Sequence, residues 1–308
     1  MSDIVPALIA IDWGSSSFRA YLMRRDGAVL EAIESADGVS TVPPGAFPAT
    51  LERLAGGWIA ADPGLPVIAS GMVGSRHGWR EAPYVQCPAD PKDIAMKLIT
   101  IEADGRRVHL APGLSYQDGA GQPDVIRGEE VEILGIADSG ARLIVLPGSH
   151  SKWAVVDSGS VKSFRTFVTG ELFSAIRDHT IAGAFARAGT LKPPGAAFAL
   201  GVRRGAAAAR GEDKTGLLGA LFGARSLPLM GKLAEADAGD YLSGLLIGAE
   251  IAEARRRFAG EDPQVAGAEA LVRRYLAAFD ALGEKALAAP GRAAARGLHL
   301  LARQAGLV

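Results

Sequence analysis

The chain opens with a solid apolar run, which is followed by a stretch where apolar and polar positions alternate. The run covers Leu8–Ile11 and predicts a strand that is buried on both faces. Alternation over Phe18–Met23 predicts a second strand with one set of side chains on each face. Asp26-Gly27 is a strong two-residue hairpin signature, so residues 28–33 are expected to return as a third strand. The pattern therefore predicts a meander of three strands.

The same succession of strand, small-residue turn and hairpin occurs again in the middle of the chain. Residues 143–146 are apolar, residues 152–157 alternate, and Ser158-Gly159 predicts the second hairpin turn before another strand. Repetition of a whole supersecondary unit indicates two similar lobes. The copies differ at one position, because Leu146 stands in the second where Asp12 stands in the first.

Each copy places a glycine and serines between its first two strands. Glycine lets a backbone approach a ligand closely, and successive N–H groups in such a turn suit an anion such as phosphate. Asp12 would then need a hard cation such as Mg²⁺ between itself and the phosphate; the alternative is a solvated acid at an ordinary turn. Arg19 and Lys152 follow the turns and are either phosphate-neutralising cations or exposed strand residues. The predicted phosphate contacts are Gly14, Ser15, Ser16 and Arg19 in the first copy, and Gly148, Ser149, His150 and Lys152 in the second.

Composition excludes several classes of protein. The 308 residues are 48% hydrophobic and carry a net charge of −1 at pH 7, which argues against binding to nucleic acid or an anionic membrane. Cys87 is the single cysteine, and no apolar run approaches the length of a membrane span. The N-terminus does not resemble a signal peptide, so a cytoplasmic protein is expected. Neither a P-loop nor a dinucleotide-binding glycine motif is present.

Six segments together resemble the 2-dehydro-3-deoxygalactonokinase family of the actin and sugar-kinase ATPase superfamily. They are IAIDWGSSSFRAYL, SGMVGSRHGW, RGEEVEILG, LPGSHSKW, FRTFVTGELF and YLSGLLIGAE, which span residues 9–250. The resemblance implies an α/β protein of two ribonuclease H-like lobes, with a nucleotide cleft between them. It also implies transfer of phosphate from ATP with Mg²⁺ to the terminal (C6) hydroxyl of 2-dehydro-3-deoxy-D-galactonate. We expect lobes at residues 1–140 and 141–308, with the last helix, 293–304, returning to the first lobe.

The resemblance also implies roles for particular residues. Related sugar kinases place a catalytic acid where a helix opens just before the second phosphate turn, and Glu129 occupies that place. Glu130 is the competing base, and both glutamates are alternatively helix N-terminal acids favoured by the macrodipole. Gly267 and Ala268 resemble the small-residue turn that holds adenosine. Gly244 and Gly248 lie four residues apart and indicate close helix packing instead of binding.

The sugar-acid substrate needs a cation and hydroxyl donors for its carboxylate. Two segments offer them: a glycine-rich loop after the strand at residues 67–69, with backbone amides at Gly74 and Ser75, and a segment where a strand ends and a helix opens at Thr169. The candidates are Gly74, Ser75, Arg76, Trp79, Arg165, Thr169 and Glu171, each of which is alternatively structural.

Two other functions remain possible on the same scaffold. One is a non-catalytic sensor of nucleotide or sugar acid, and the other is an ATPase in which water replaces the sugar. Retention of both Asp12 and Glu129 favours an enzyme, and the arginines Arg76 and Arg165 favour a charged acceptor. A homodimer is expected as the oligomeric state.

Overall fold

The computed structural model describes residues 5–308, which divide into two compact units. Unit 1 comprises the described residues up to Ala141 together with Val156–Phe164 and Pro290–Val308. Unit 2 comprises Arg142–Val155 and Arg165–Ala289. The predicted lobes, 1–140 and 141–308, stay a prediction; the two units differ from them because a hairpin tip and the C-terminal segment group with the N-terminal part.

Strands and helices are numbered along the described chain. The strands are β1 (Pro6–Trp13), β2 (Phe18–Arg24), β3 (Val29–Ser35), β4 (Val67–Ser70), β5 (Tyr84–Gln86), β6 (Ile99–Ala103), β7 (Arg106–Leu110), β8 (Gly113–Gln117), β9 (Pro123–Ile126), β10 (Leu143–Leu146), β11 (Ser151–Asp157), β12 (Ser160–Phe167), β13 (Gln264–Val265) and β14 (Leu287–Ala288). The helices are α1 (Phe47–Ala61), α2 (Pro91–Ala95), α3 (Glu129–Ala137), α4 (Thr169–His179), α5 (Ala184–Ala188), α6 (Ala196–Arg210), α7 (Gly216–Leu221), α8 (Gly223–Leu229), α9 (Ala238–Arg255), α10 (Glu269–Ala281) and α11 (Ala293–Gln304).

Unit 1 contains the first predicted meander as the edge of a six-stranded sheet in the order β3-β2-β1-β4-β7-β6. The neighbours β1, β2 and β3 are antiparallel, whereas β4 lies parallel to β1 and β7 lies parallel to β4. The hairpin between β2 and β3 turns at Asp26-Gly27, where Gly27 has φ +86°. A separate three-stranded sheet has the order β5-β8-β9.

The second meander starts a sheet with the same strand order. It runs β12-β11-β10-β13-β14, in which β10 is antiparallel to β11, β13 lies parallel to β10, and β14 lies parallel to β13. Each sheet therefore places its first strand centrally, between the second strand of a hairpin and a later parallel strand. The repeat predicted from the sequence is confirmed at the level of topology.

Aromatic and aliphatic side chains between α1 and the sheet form the core of unit 1. Phe47 and Leu51 of α1 pack against buried residues of β1 and β4. The Trp13 ring meets the Phe18 ring edge-on, with centroids 4.9 Å apart, and contacts Phe47 at 5.5 Å. Burying these large apolar faces stabilises the strand that carries Asp12.

Helices α6 and α9 of unit 2 pack through glycines. A Cβ atom added at Gly205 would lie 1.8 Å from the Leu245 carbonyl oxygen, and one at Gly248 would lie 2.1 Å from that of Val202. Gly201 and Gly244 make equally close approaches to the facing backbone. The predicted packing role of Gly244 and Gly248 is confirmed, and α6 supplies the facing helix.

Replacing Gly205 by alanine is expected to destabilise the protein by about 3 kcal/mol, because the new methyl group overlaps backbone atoms that cannot rotate away. Gly57→Ala in α1 is the matched control. No atom lies within 4 Å of its Cβ position, so it should stabilise by about 0.5–1 kcal/mol through helix propensity. Urea unfolding measures both changes, and equal stabilities for the two variants would contradict the packing argument.

The C-terminal helix α11 belongs to unit 1, where it packs against α3. A Cβ atom at Gly297 would lie 1.8 Å from the Val131 carbonyl oxygen, so these two helices also touch backbone to backbone. His299 Nε2 lies 3.0 Å from the Arg25 carbonyl oxygen at the tip of the β2–β3 hairpin. Over residues 5–308, no helix combines the length and the apolar character that a membrane crossing requires.

Candidate functional site

The first glycine–serine turn lies between β1 and β2 in unit 1. The Gly14 amide donates to the Ser17 carbonyl oxygen at 2.9 Å, which closes the turn and exposes Ser15 and Ser16 at its tip. The Ser40 hydroxyl donates to the Ser15 carbonyl oxygen at 2.7 Å and supports the tip from behind. An open cavity of about 400 Å³ adjoins the turn and is lined by Ser16, Ser17, Arg19, Glu34, Ser35 and Ala36.

Asp12 and Arg19 face each other across the β1–β2 ladder beside this turn. Their side chains form an ion pair at 3.3 Å, with the Asp12 side chain 14% exposed and that of Arg19 43% exposed. Burial raises the pKa of Asp12, and the guanidinium of Arg19 opposes that rise. The negative charge of Glu129 raises the Asp12 pKa further, so these two acids lie close enough to repel each other.

The start of α3 distinguishes Glu129 from Glu130. Glu129 is partly exposed, and its carboxylate accepts a hydrogen bond from the Arg127 amide at 3.0 Å. Glu130 is fully buried and accepts from the Gly128 amide at 2.6 Å. Gly128 has φ +104°, a left-handed conformation that favours glycine. Of the two glutamates, Glu129 is therefore the more accessible to solvent.

Glu132 belongs to the same acidic group and was missed by the sequence interpretation. Removal of its carboxyl from water raises the pKa of Glu132 to about 7, and the charges of Asp12 and Glu129 add to the rise. Its position three residues after Glu129 places both on one helix face. The three-residue spacing could have indicated that Glu132 lies beside Glu129, but only if the start of the helix were already known.

Stability should depend on pH through Glu130. Burial, together with the charge of Glu129, raises the pKa of Glu130 to about 8, against the influence of Arg127 and the Gly128 amide. The folded protein then holds this proton at pH values where the unfolded chain releases it, so the group's contribution to stability falls between about pH 4.5 and 8. Glu130→Gln cannot ionise and keeps an acceptor for the Gly128 amide. Its Tm should fall less than the wild-type Tm between pH 5 and 8 in calorimetry, and parallel curves would contradict this assignment.

Several observations in unit 1 fit a hard divalent cation at Asp12. Asp12, Glu129 and Glu132 concentrate negative charge that Arg19 offsets only in part. Gly71 leaves room there, because a Cβ atom would lie 3.5 Å from Asp12 Oδ1. Across the described part of the chain, no three His, Cys, Asp or Glu side chains form a ready-made metal cage. This arrangement suits Mg²⁺, which is usually held by one or two carboxylates, water and substrate phosphates.

The second turn, Gly148–Ser151, is supported in unit 2 by the start of α4. The Glu171 amide donates to the Ser149 carbonyl oxygen at 2.9 Å, and a Cβ atom at Gly170 would lie 2.3 Å from the Gly148 carbonyl oxygen. Lys152 faces Leu146 across the β10–β11 ladder, as Arg19 faces Asp12 in the first copy. The two copies therefore place a cation at the same register position.

Side chains near this turn hydrogen-bond to one another. His150 Nε2 lies 2.7 Å from Glu171 Oε2, and the buried Lys152 ammonium donates to the His150 carbonyl oxygen at 2.7 Å. The Thr169 hydroxyl hydrogen-bonds to the carboxylate of Glu250. His150, Glu171 and Thr169 thus have structural partners, and their contacts with phosphate or substrate stay predictions.

The turn at Gly267 and Ala268, here called the adenosine-like turn, lies beside the second turn within unit 2. Strand β13 pairs with β10, and the Ala266 amide donates to the Val145 carbonyl oxygen at 2.9 Å. Gly267 has φ +132°, and a Cβ atom there would lie 3.4 Å from the Pro147 carbonyl oxygen. Helix α10 then begins directly after Ala268. Gly267 and Ala268 thus form a small-residue turn between β13 and α10.

The glycine-rich loop after β4 is closed by its own backbone hydrogen bonds. The amides of Gly74 and Ser75 donate to the carbonyl oxygens of Gly71 and Met72, both at 3.0 Å, and a contact of these two residues with the substrate stays a prediction. The Trp79 ring stacks on that of Phe47 at 6.1 Å in the core of unit 1. The other two candidate cations lie apart from this core: Arg76 is exposed in the loop, and Arg165 is partly buried in β12 of unit 2.

Arg127 is a cation that the sequence interpretation did not single out. Its Nη2 donates to the Ala82 carbonyl oxygen at 2.8 Å, and its guanidinium lies over the Tyr84 ring. Its Nε and Nη1 are buried without a hydrogen-bond partner, as are the hydroxyls of Ser70 and Ser75. A Cβ atom at Gly74 would lie 3.2 Å from Arg127 Nη1, which places this group beside the loop. These are donors that lack an acceptor.

The repeated sheet order and the paired glycine–serine turns define an actin-like ATPase and sugar-kinase fold, as the sequence predicted. A family model described as 2-keto-3-deoxy-galactonokinase matches residues 12–301. The chain belongs to this family and is accordingly an enzyme of the kinase class. The sensor and ATPase alternatives find no support in these comparisons.

Relatives over most of the chain agree with this assignment. A Rhizobium meliloti protein assigned as a 2-dehydro-3-deoxygalactonokinase is 41% identical over 80% of this chain and 79% of its own length. The Escherichia coli 2-dehydro-3-deoxygalactonokinase is 36% identical over 89% of this chain and 90% of its own. A crystal structure of a Sinorhizobium meliloti protein assigned to the same activity superposes with a TM-score of 0.86 and 38% identity, covering 96% of this chain and 98% of its own.

Proposed function

We propose that this protein transfers the terminal phosphoryl group of ATP to the C6 hydroxyl of 2-dehydro-3-deoxy-D-galactonate, a step of galactonate breakdown. The observation that carries the proposal is the acidic group of unit 1, in which Asp12 and Glu129 lie within electrostatic reach of each other beside the first turn. The names of the relatives supply the substrate. The cytoplasmic location and the homodimer stay predictions from the sequence.

Glu129 is proposed as the general base that accepts the proton of the attacking hydroxyl. It is partly exposed at the start of α3, whereas Glu130 is fully buried and bound to the Gly128 amide. A base must reach the hydroxyl directly or through one water molecule, which favours Glu129. Glu132 lies on the same helix face, and comparison of Glu129→Gln with Glu132→Gln distinguishes the two.

Asp12 is proposed to hold Mg²⁺ beside the first turn. When bound, Mg²⁺ neutralises phosphate charge during phosphoryl transfer. Arg19 pairs with Asp12 and holds the carboxylate in place on β1. Ser15 and Ser16 present hydroxyl groups at the exposed tip of the turn, where they are proposed to contact phosphate oxygens, with Gly14 giving the backbone its shape.

ATP is also proposed to contact unit 2. The turn Gly148-Ser149-His150 and the buried ammonium of Lys152 are assigned to phosphate, and Gly267-Ala268 to the adenine ring. Proximity of β13 to β10 within the sheet supports a common role for both segments. Small residues at Gly267 and Ala268 leave the flat ring free to lie against backbone.

Arg127 is proposed to bind the carboxylate of the sugar acid. Its buried Nε and Nη1 lack an acceptor, and a carboxylate is the acceptor that best matches a guanidinium. Arg76 and Arg165 are the alternatives from the sequence. Replacement by methionine of the arginine that binds the carboxylate should raise KM for the sugar acid and leave KM for ATP unchanged. The experiment measures both KM values for Arg127→Met, Arg76→Met and Arg165→Met.

The test of the function is ADP release by purified protein with Mg-ATP. The acceptors are 2-dehydro-3-deoxygalactonate, 2-dehydro-3-deoxygluconate, a hexose, glycerol and none. Release that depends on the galactonate-derived acid supports the proposal. Release without any acceptor would identify an ATPase, and binding of ATP without release across the panel would favour a sensor.

A further inference from the structure

A fully buried carboxylate lies behind the second turn in unit 2. Glu250 ends the segment YLSGLLIGAE on α9 and is 3% exposed. A charged side chain is rarely buried unless its charge is satisfied by partners. YLSGLLIGAE is one of the six segments that resemble the kinase family, but the proposed function gives Glu250 no role.

Three side chains donate directly to the Glu250 carboxylate, and a fourth is linked to it through one of them. Trp153 Nε1 donates to Oε1 at 2.8 Å, and the Tyr275 hydroxyl donates to Oε2 at 2.7 Å. The Thr169 hydroxyl also hydrogen-bonds to it. Because the Tyr275 proton goes to Glu250, the Ser151 hydroxyl donates to the Tyr275 hydroxyl oxygen, 2.8 Å away, and is linked to the carboxylate through it. A carboxylate accepts hydrogen bonds without donating any, so it is the side-chain group that satisfies such a set.

These donors come from the elements assigned to ATP. Ser151 closes the second turn and begins β11. Thr169 begins α4, whose next two residues hold the backbone of that turn. Tyr275 lies on α10, the helix that follows the adenosine-like turn. Glu250 is therefore linked, directly or through the Tyr275 hydroxyl, to each segment that shapes the nucleotide contacts of unit 2.

We propose that Glu250 is a positioning residue for ATP, which fixes the second turn, the start of α4 and α10 relative to one another. The inference rests on the proposed use of ATP by this site. Loss of the Glu250 carboxylate is therefore expected to weaken nucleotide binding, because the second turn and α10 would no longer be held at a fixed distance from each other. The inference predicts a smaller effect on the sugar acid, because Arg127, the residue proposed to bind its carboxylate, lies in unit 1.

The chain offers a matched control on the same two helices. Asp240 of α9 forms an ion pair at 2.6 Å with Arg274 of α10, and both side chains are 5% exposed. Arg274 also donates to the Ser243 hydroxyl and the Lys192 carbonyl oxygen, outside the second turn. Asp240→Asn thus weakens a buried polar link between α9 and α10 without removing a partner of the turn.

The experiment measures the Kd of ATP and ADP by calorimetry at 20 °C, together with Tm and the two KM values. Glu250→Gln replaces an acceptor oxygen by an NH2 group that faces other donors. The variant should raise the Kd for ATP about tenfold, a change in binding free energy of about 1.4 kcal/mol. KM for ATP should rise in parallel, and KM for the sugar acid should stay within twofold. Tyr275→Phe removes one donor and should raise Kd about threefold. Asp240→Asn should lower Tm while leaving Kd within twofold of wild type.

The outcomes separate the positioning role from the function on which it rests. Wild-type affinity in Glu250→Gln, or an equal loss of affinity in Asp240→Asn, would overturn the positioning role alone. Failure of the wild-type protein to bind any adenine nucleotide would overturn both. If Glu250→Gln does not fold, Tyr275→Phe provides the test, and an unchanged Kd in that variant overturns the inference.

Discussion

Replacement of Glu129 by glutamine is expected to lower kcat by about 10²-fold or more, which is the usual loss when a general base is removed. Glutamine matches the size of glutamate, and its amide oxygen can still accept from the Arg127 amide, so the start of α3 should be preserved. KM for ATP and for the sugar acid should therefore change little. Steady-state kinetics with both substrates checks this split.

Asp138→Asn is the matched control, because it removes an exposed acid just after the C-terminal end of the same helix. It should keep the wild-type kcat. A wild-type rate in Glu129→Gln, with a loss in Glu132→Gln, would transfer the role to Glu132. The raised pKa of Glu132, about 7, makes that comparison necessary.

Replacement of Asp12 by asparagine is expected to reduce Mg²⁺-dependent turnover by about 10³-fold or more, since a bound metal contributes several kcal/mol to catalysis. The change removes the negative charge beside the first turn. The concentration of Mg²⁺ required for half-maximal rate should also rise. Titration of Mg²⁺ at saturating ATP and sugar acid measures both effects.

Asp26→Asn is the control for this variant, because Asp26 is an exposed acid at the tip of the neighbouring hairpin. Asparagine can still accept the hydrogen bond that the Ala28 amide donates to Asp26 Oδ1 at 3.1 Å. Its Mg²⁺ titration should overlay the wild-type curve. An Asp12→Asn variant that retains full Mg²⁺-dependent activity would refute the metal-binding role.

Local pattern was enough to predict the two hairpins. Alternation over β2 and the Asp26-Gly27 turn involve neighbouring residues, and their geometry follows from backbone preferences alone. The parallel partners β4 and β13 are short and distant in sequence, so nothing in their composition reveals where they pair. The repeat predicted two sheets of the same strand order, whereas the grouping of Val156–Phe164 and Pro290–Val308 with unit 1 depends on tertiary packing.

Prediction of the site was less complete, because side-chain directions decide which polar groups meet. Glu129 was predicted as the base through family resemblance, whereas Glu132 shares a face of α3 with it only because the helix begins at Glu129. Thr169 has a hydroxyl suited to a substrate, yet the structure gives it Glu250 as a partner. The amides of Gly74 and Ser75 are engaged within their own loop, which the glycine content alone does not show.

The backbone contacts between α6 and α9 have a consequence for motion. At glycine positions such as Gly205 and Gly248, the two backbones touch directly. There are no side chains between them that could change conformation and let one helix slide past the other. The pair is therefore expected to move as one rigid body during catalysis. Its central amide hydrogens should exchange with solvent only when the protein unfolds globally. Because Glu250 lies on α9, we expect the carboxylate behind the second turn to move with this rigid pair of helices.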